Sequence, residues 1–121
     1  MSNEFANLIS KATEEANKAG DKWIAEHTKP VWNVVNEYSG EVVGQLLDVC
    51  GFGYVRITDK RTSFAKYLKK VQRNGYIGYV DIFHKHRCRQ ELGLNTATAT
   101  AIYKVLSEAG IKGIEIYSRI D

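Results

Sequence analysis

The first two dozen residues constrain this chain most. Phe5, Leu8, Ile9, Ala12, Ala16, Ala19 and Trp23 recur there at helical spacing with polar residues between them. That period predicts one amphipathic helix over residues 3–26, with an apolar stripe that a sheet or a partner has to cover. The rest of the 121 residues, enough for a single domain spanning 1–121, must supply that cover.

Downstream, Pro30 is the only proline and biases Lys29 toward extended backbone. Val31 to Glu37 reads as a strand, Ser39-Gly40 as a turn, and Val42 to Val49 as a second strand that bends at Gly44. Cys50 to Ile57 reads as a central strand entered through a glycine kink, with Val55 and Ile57 on one face and Tyr54 and Arg56 on the other. Thr62 or Ser63 can cap a short helix that turns Phe64, Leu68 and Val71 inward and Lys66, Lys69 and Lys70 outward, and Asn74-Gly75 stops it. Tyr76 to Phe83 again has strand character, with His84 to Arg89 as an edge or loop. Asn95 or Thr96 can cap a last helix with a buried stripe of Ile102, Val105, Leu106 and Ala109, which Gly110 ends. In the closing strand Ile114 and Ile116 alternate with Glu115, Tyr117 and Arg119. The expected fold is α+β: a mainly antiparallel sheet of about five strands, with a long N-terminal helix, a short middle helix and a C-terminal helix packed on it.

With 44% hydrophobic and 26% charged residues, the chain falls among folded, water-soluble proteins rather than disordered ones. Its apolar runs are far too short to span a bilayer, and no basic segment precedes an apolar block, so a cytoplasmic protein without a membrane partner is expected. Two cysteines, Cys50 and Cys88, are too few for a disulfide scaffold.

Catalytic signatures are sparse. There is no P-loop and no Gly-x-Gly-x-x-Gly, which excludes the common nucleotide-hydrolysing and dinucleotide enzymes. His84, His86 and Cys88, with Cys50 as a fourth, have side chains that suit zinc. Same-side neighbours on a strand lie about 6–7 Å apart, however, wide for a tetrahedral site, so no metal or other cofactor is expected. Cys50 with a histidine is the one nucleophile–base pairing to name. Beside Gly51, Cys50 reads better as a small packing residue, and a non-enzyme is expected.

Binding residues are easier to nominate. The small side chains after Asn95 would leave helix N–H groups open to an anion, or would permit close packing on the sheet. Tyr54, Tyr67, Tyr76, Tyr79, Phe83, Tyr103 and Tyr117 lie near Arg56, Arg87 and Arg119, a mixture that suits a base stacked on a ring with its phosphate held by a cation. The expected ligand site is Arg56, Phe83, Asn95, Thr96, Tyr117 and Arg119. Net charge is only +3, but Lys60, Arg61, Lys66, Lys69, Lys70 and Arg73 cluster, followed by Lys85, Arg87 and Arg89. The cluster is either a nucleic-acid surface or a solvated helix face and a charge-protected edge. So short a chain with several amphipathic elements is also expected to form a homo-oligomer.

The run Cys50-Gly51-Phe52-Gly53-Tyr54-Val55-Arg56-Ile57, the segment Phe64 to Lys70, Gln90, Ala97 to Leu106, Ala109-Gly110-Ile111 and the ending Ser118-Arg119-Ile120-Asp121 together resemble a family of small phage-encoded proteins. Their pattern is Cys-Gly-Phe-(Ala/Gly)-(Trp/Tyr)-Val, with a Ser-Arg-(Leu/Met/Ile)-Asp C-terminus. Where that family commonly has Gln-Ser and Lys-Glu-Ala-Tyr-Ala, this chain has Gln90-Glu91 and Asn95-Thr96-Ala97-Thr98-Ala99. The resemblance implies phage origin and hence the host cytoplasm; by analogy of size and source with small phage accessory and anti-defence proteins, the expected role is to sequester a small phosphorylated, nucleotide-like signal without catalysis. The alternatives are a nucleic-acid-binding protein using Lys60 to Arg89, and an inhibitor that docks on a host defence protein.

Overall fold

A computed structural model describes residues 2–27, 32–35, 42–46, 50–72, 78–87 and 89–120. Lys29 and Pro30, the turn at Ser39-Gly40, Arg73, the stop at Asn74-Gly75, Cys88 and Asp121 lie outside the described residues. The elements are α1 (Ser2–Glu26), β1 (Trp32–Val35), β2 (Val42–Leu46), β3 (Gly51–Ile57), α2 (Ser63–Val71), α3 (Leu92–Glu108) and β4 (Ile114–Ile120).

The apolar stripe of α1 is covered mainly by another helix. Ala12 and Ala16 have no exposed surface, and α1 lies along α3. Short side chains at these positions let the two backbones approach closely. Nearer the start of α1, Phe5, Leu8 and Ile9 reach the core, with Phe5 edge-on to Phe64 of α2 at 5.4 Å between ring centres. Thr62 caps α2 by accepting the Ala65 N–H at 3.1 Å. Phe64, Ala65 and Leu68 are buried, while Lys66, Lys69 and Lys70 face solvent. Val71, expected inside, is exposed.

Helix α3 is the centre of the molecule, touching α1 on one side and both β3 and β4 on the other. Leu94 and Leu106 are fully buried, and each such side chain stabilises the fold by about 1.5–3 kcal/mol. Its C-terminus closes as a Schellman turn: Gly110 has φ +86°, its N–H donates to the Ser107 carbonyl, and the Ile111 N–H reaches back to Leu106. A side chain at Gly110 would be strained in that left-handed conformation.

Strands β3 and β4 form an antiparallel ribbon running in register from Gly51↔Ile120 to Ile57↔Ile114. On β3, Gly51, Val55 and Ile57 are buried on the face toward α3. Gly53 belongs to the same face, and a Cβ there would lie 3.0 Å from the Asn95 carbonyl oxygen, so α3 lies so close on the strand that any side chain would push it back by a few tenths of an ångström. Separately, β1 and β2 pair antiparallel, and their register skips Val43 beside Gly44.

The expected five-stranded sheet is therefore replaced, among the described residues, by two two-stranded antiparallel sheets and three helices. Two physical causes account for this. Val80 and Ile82 are buried at alternate positions, which gives residues 76–83 the period of a strand, but over the described part (78–83) pairing is limited to one bridge, Arg56↔Tyr79. The Gln72 side chain, just past α2, captures this segment: its Nε2 donates to the Tyr79 carbonyl at 3.1 Å and its Oε1 accepts the Asp81 N–H at 2.9 Å. A side-chain amide thus takes the hydrogen bonds that a neighbouring strand would have made. The second cause is that the edge of β3 facing away from β4 is met by residues 78–80 at one end and by Gln90 and Glu91 at the other, and the β1–β2 hairpin pairs only with itself.

Candidate functional site: an aromatic face and an open strand edge

Because one face of the ribbon is given to α3, the alternate residues project from the other. These are Phe52, Tyr54 and Arg56 on β3, opposite Arg119, Tyr117 and Glu115 on β4. Tyr79, bridged to Arg56, joins them. Tyr54 is the hub, its ring centre 5.8 Å from Phe52, 5.3 Å from Tyr79 and 5.4 Å from Tyr117. Two guanidinium groups lie over this surface, Arg56 at 4.7 Å from the Tyr117 ring centre and Arg119 at 4.8 Å from that of Phe52. Arg56 is neutralised by an ion pair with Glu115. Arg119 is exposed and has no carboxylate partner among the described residues.

Phe52 and Tyr54 also border a cleft of about 650 Å³ on the open side of β3. Its floor is the strand from Cys50 to Val55, one wall is Tyr79 to Ile82, and the helix side is Asn95, Thr98, Ala99 and Ile102. His84, Arg87 and Arg89 stand at its rim. Two of these charges are compensated locally, Arg87 by Asp81 at 2.7 Å and Arg89 by the fully buried Glu91. The Glu91 carboxylate, hydrogen-bonded to the guanidinium, holds the Arg89 pKa above its ordinary value. Burial, helped by the charges of His86 and Arg87, pushes the His84 pKa below the usual histidine value.

The six expected site residues divide into three groups. Arg56, Tyr117 and Arg119 share the aromatic face. Phe83 stands apart, 62% exposed, beneath the Arg87 guanidinium at 4.1 Å. Asn95 and Thr96 lie on α3, on the opposite face of the ribbon. The helix is capped at Glu91, four or five residues before the expected cap at Asn95 or Thr96, so the Asn95 N–H already donates to the Glu91 carbonyl. Its buried side-chain amide donates to the carbonyls of Gly51 (2.8 Å) and Arg89 (3.1 Å), tying α3 to β3 and to the loop before it. Phe52, Tyr79 and Gly53 were not singled out from the sequence as site residues. Phe52 alternates with Tyr54 and Arg56 and so was recoverable from the strand period.

His86 and Lys85 are engaged structurally. His86 is buried, seated over Gly20, with Nε2 2.9 Å from the Asp21 carboxylate, which Lys85 also contacts. The hydrogen bonds from Lys85 and His86 hold the Asp21 pKa below the usual carboxylate range. Lys85 also donates its N–H to the Asn17 side chain, so the 84–87 turn is latched to α1. Among the described residues no group of three or more His, Cys, Asp or Glu could hold a metal, and Cys50 is a free thiol. No described helix is long and apolar enough to cross a membrane. Comparison with protein-family models, with curated proteins and with solved structures found no match.

Proposed function

We propose that this chain binds a small phosphorylated, nucleotide-like ligand without catalysis and acts by sequestering it. The observation that carries the reading is the ribbon's solvent face: four clustered rings, Phe52, Tyr54, Tyr79 and Tyr117, with Arg119, which has no carboxylate partner among the described residues, lying over one of them. A base stacked on such rings gains about 1–3 kcal/mol, and a guanidinium at the edge of the stack is placed to take a phosphate in a charge-assisted pair. Arg56, already paired with Glu115, helps to orient Tyr117. The resemblance to phage proteins covers both strands of this ribbon, and an anti-defence role follows by analogy of size and source. Calorimetric titration of folded protein with nucleoside monophosphates, cyclic oligonucleotides and cyclic ADP-ribose isomers is the test. No heat from any member sinks the proposal.

A second reading, nucleic-acid binding, is favoured by Lys66, Lys69 and Lys70, which are exposed on α2 with no carboxylate partner among the described residues. By contrast Lys85, Arg87 and Arg89 are each paired with an acid. This reading requires affinity for single strands that falls steeply with salt and is lost on reversing Lys69 and Lys70.

A further inference from the structure

The outer edge of β4 has no partner strand among the described residues. Gly51, Val55 and Ile57 direct their hydrogen bonds away from β4, which leaves Phe52, Tyr54 and Arg56 to carry the ladder to Arg119, Tyr117 and Glu115. Backbone groups alternate in direction along a strand, so the N–H and C=O groups of Ile114, Ile116, Ser118 and Ile120 turn outward, and among the described residues no protein group meets them. Edges are commonly blunted by proline, by lysine or by a bulge. Strand β4 has none of these, and its register with β3 is unbroken over its seven residues. On its helix side Ile116 and Ile120 are 37% and 68% exposed, because α3 lies chiefly on β3.

The strand is complementary to itself when reversed. About Tyr117, Ile114 stands against Ile120, Glu115 against Arg119 and Ile116 against Ser118. A second copy laid antiparallel in that register pairs every residue of the strand and satisfies all the outward N–H and C=O groups. The Ile114–Ile120 pairs cover exposed apolar surface on the helix side, and the Glu115–Arg119 pairs set opposite charges across from one another on the aromatic side. Arg56 takes only the Oε1 atom of Glu115, which leaves Oε2 for the incoming arginine. Two guanidinium groups then share one carboxylate, so each cluster keeps a net positive charge and Arg119 can still meet a phosphate. A register centred on Ser118 instead sets Arg119 against Tyr117 and leaves Ile114 and Glu115 without a partner on the strand.

We infer that this chain pairs with a second copy of itself through β4, antiparallel about Tyr117, so that the two copies bring their Tyr117 rings side by side on the aromatic face. The inference is independent of the ligand reading and is tested without ligand. Sedimentation of the intact protein from micromolar to millimolar concentration should show a dimer, and Ile120→Asp, a change at an exposed residue that sets a charge against Ile114 of the other copy, should weaken it about tenfold or more. Under mild oxidation Tyr117→Cys should give a dimer bridged at position 117, located by mass mapping so that bridges through Cys50 or Cys88 are told apart. Ser118→Cys should not bridge to its own copy, because in this register the two positions lie beyond disulfide reach. A monomer throughout, a dimer indifferent to Ile120→Asp, or bridging at position 118 in preference to 117 overturns the inference. Sedimentation of the native protein and of Ile120→Asp keeps the test decisive if Tyr117→Cys does not fold.

Discussion

Arg119 and Phe52 face one another across the β3–β4 ribbon, and the arginine lays its guanidinium over the ring with 4.8 Å to the ring centre. The pair joins a flat aromatic surface to a positive charge, without a carboxylate partner among the described residues, on the face of the ribbon that α3 leaves uncovered. Reversing that charge is the sharpest test of the ligand face. Arg119→Glu should weaken nucleotide binding by about tenfold or more, roughly 1.4 kcal/mol. Because Arg119 is exposed, stability in urea should change by no more than about 0.5 kcal/mol. Unchanged affinity would remove Arg119 from the site.

Tyr54 makes three of the ring contacts on that face. At about 0.5–1.5 kcal/mol for each aromatic pair, Tyr54→Ala should cost about 2–4 kcal/mol of unfolding free energy, more than Tyr117→Ala, which loses two ring contacts and one arginine contact. Equal losses in denaturant titrations would show that Tyr54 is not the hub.

Asn95 should prove to be a structural residue in any assay of folding. Its amide is a donor to two carbonyl oxygens, so the isosteric Asn95→Asp places a carboxylate against Gly51 and Arg89 oxygens and should cost about 3 kcal/mol or more. A thermal shift no larger than that of an exposed substitution would contradict this.

Gln72 holds residues 79 and 81 through both ends of its amide. Gln72→Ala should cost about 1–3 kcal/mol and should speed hydrogen exchange at the Asp81 amide before that at β4 amides. Uniform acceleration across the chain would instead mean that this clamp is not a local device.

His84 gives the protein a pH dependence of known sign. Its pKa in the fold is lowered by burial, so the folded protein keeps His84 neutral where the unfolded chain begins to protonate it. Stability should therefore be complete above the ordinary histidine pKa near 6.5 and fall as pH drops from there toward the lowered value. His84→Gln should flatten that slope between neutral pH and about pH 5. An unaltered slope, or an NMR titration of His84 above the ordinary value, would refute it.

Much of this architecture is legible in the residues, and the gaps have definite causes. The stripe of α1, Ile102, Val105 and Leu106 of α3, the Thr62 cap, the Gly110 stop and the shared face of Glu115, Tyr117 and Arg119 follow from periods and caps that a sequence displays directly, whereas Ala109 and Ile116, expected inside by the same periods, are exposed. Three things depended on distant partners. Residues 78–83 have a strand's burial pattern, but their hydrogen bonds go to a glutamine side chain. Helix α3 starts at Leu92, with the buried, arginine-paired Glu91 as its N-cap residue, which no small-residue run reveals. The cleft comes from what is missing beside Gly53, a property of the assembled edge rather than of any residue type.

The two edges of the ribbon are unequal, and this sets the direction in which it can associate. Along β3 the pairing groups are interrupted at both ends, whereas β4 offers seven residues with no strand on its far side among the described residues. A second copy joining edge to edge through β4 would build a four-stranded sheet with a continuous aromatic face, and its outer borders would then be the two interrupted β3 edges. Sedimentation should accordingly find monomer and dimer with no longer series, and a ladder of higher species would disprove this. Strand addition through this ribbon, which elsewhere propagates into fibres, would here terminate after one step.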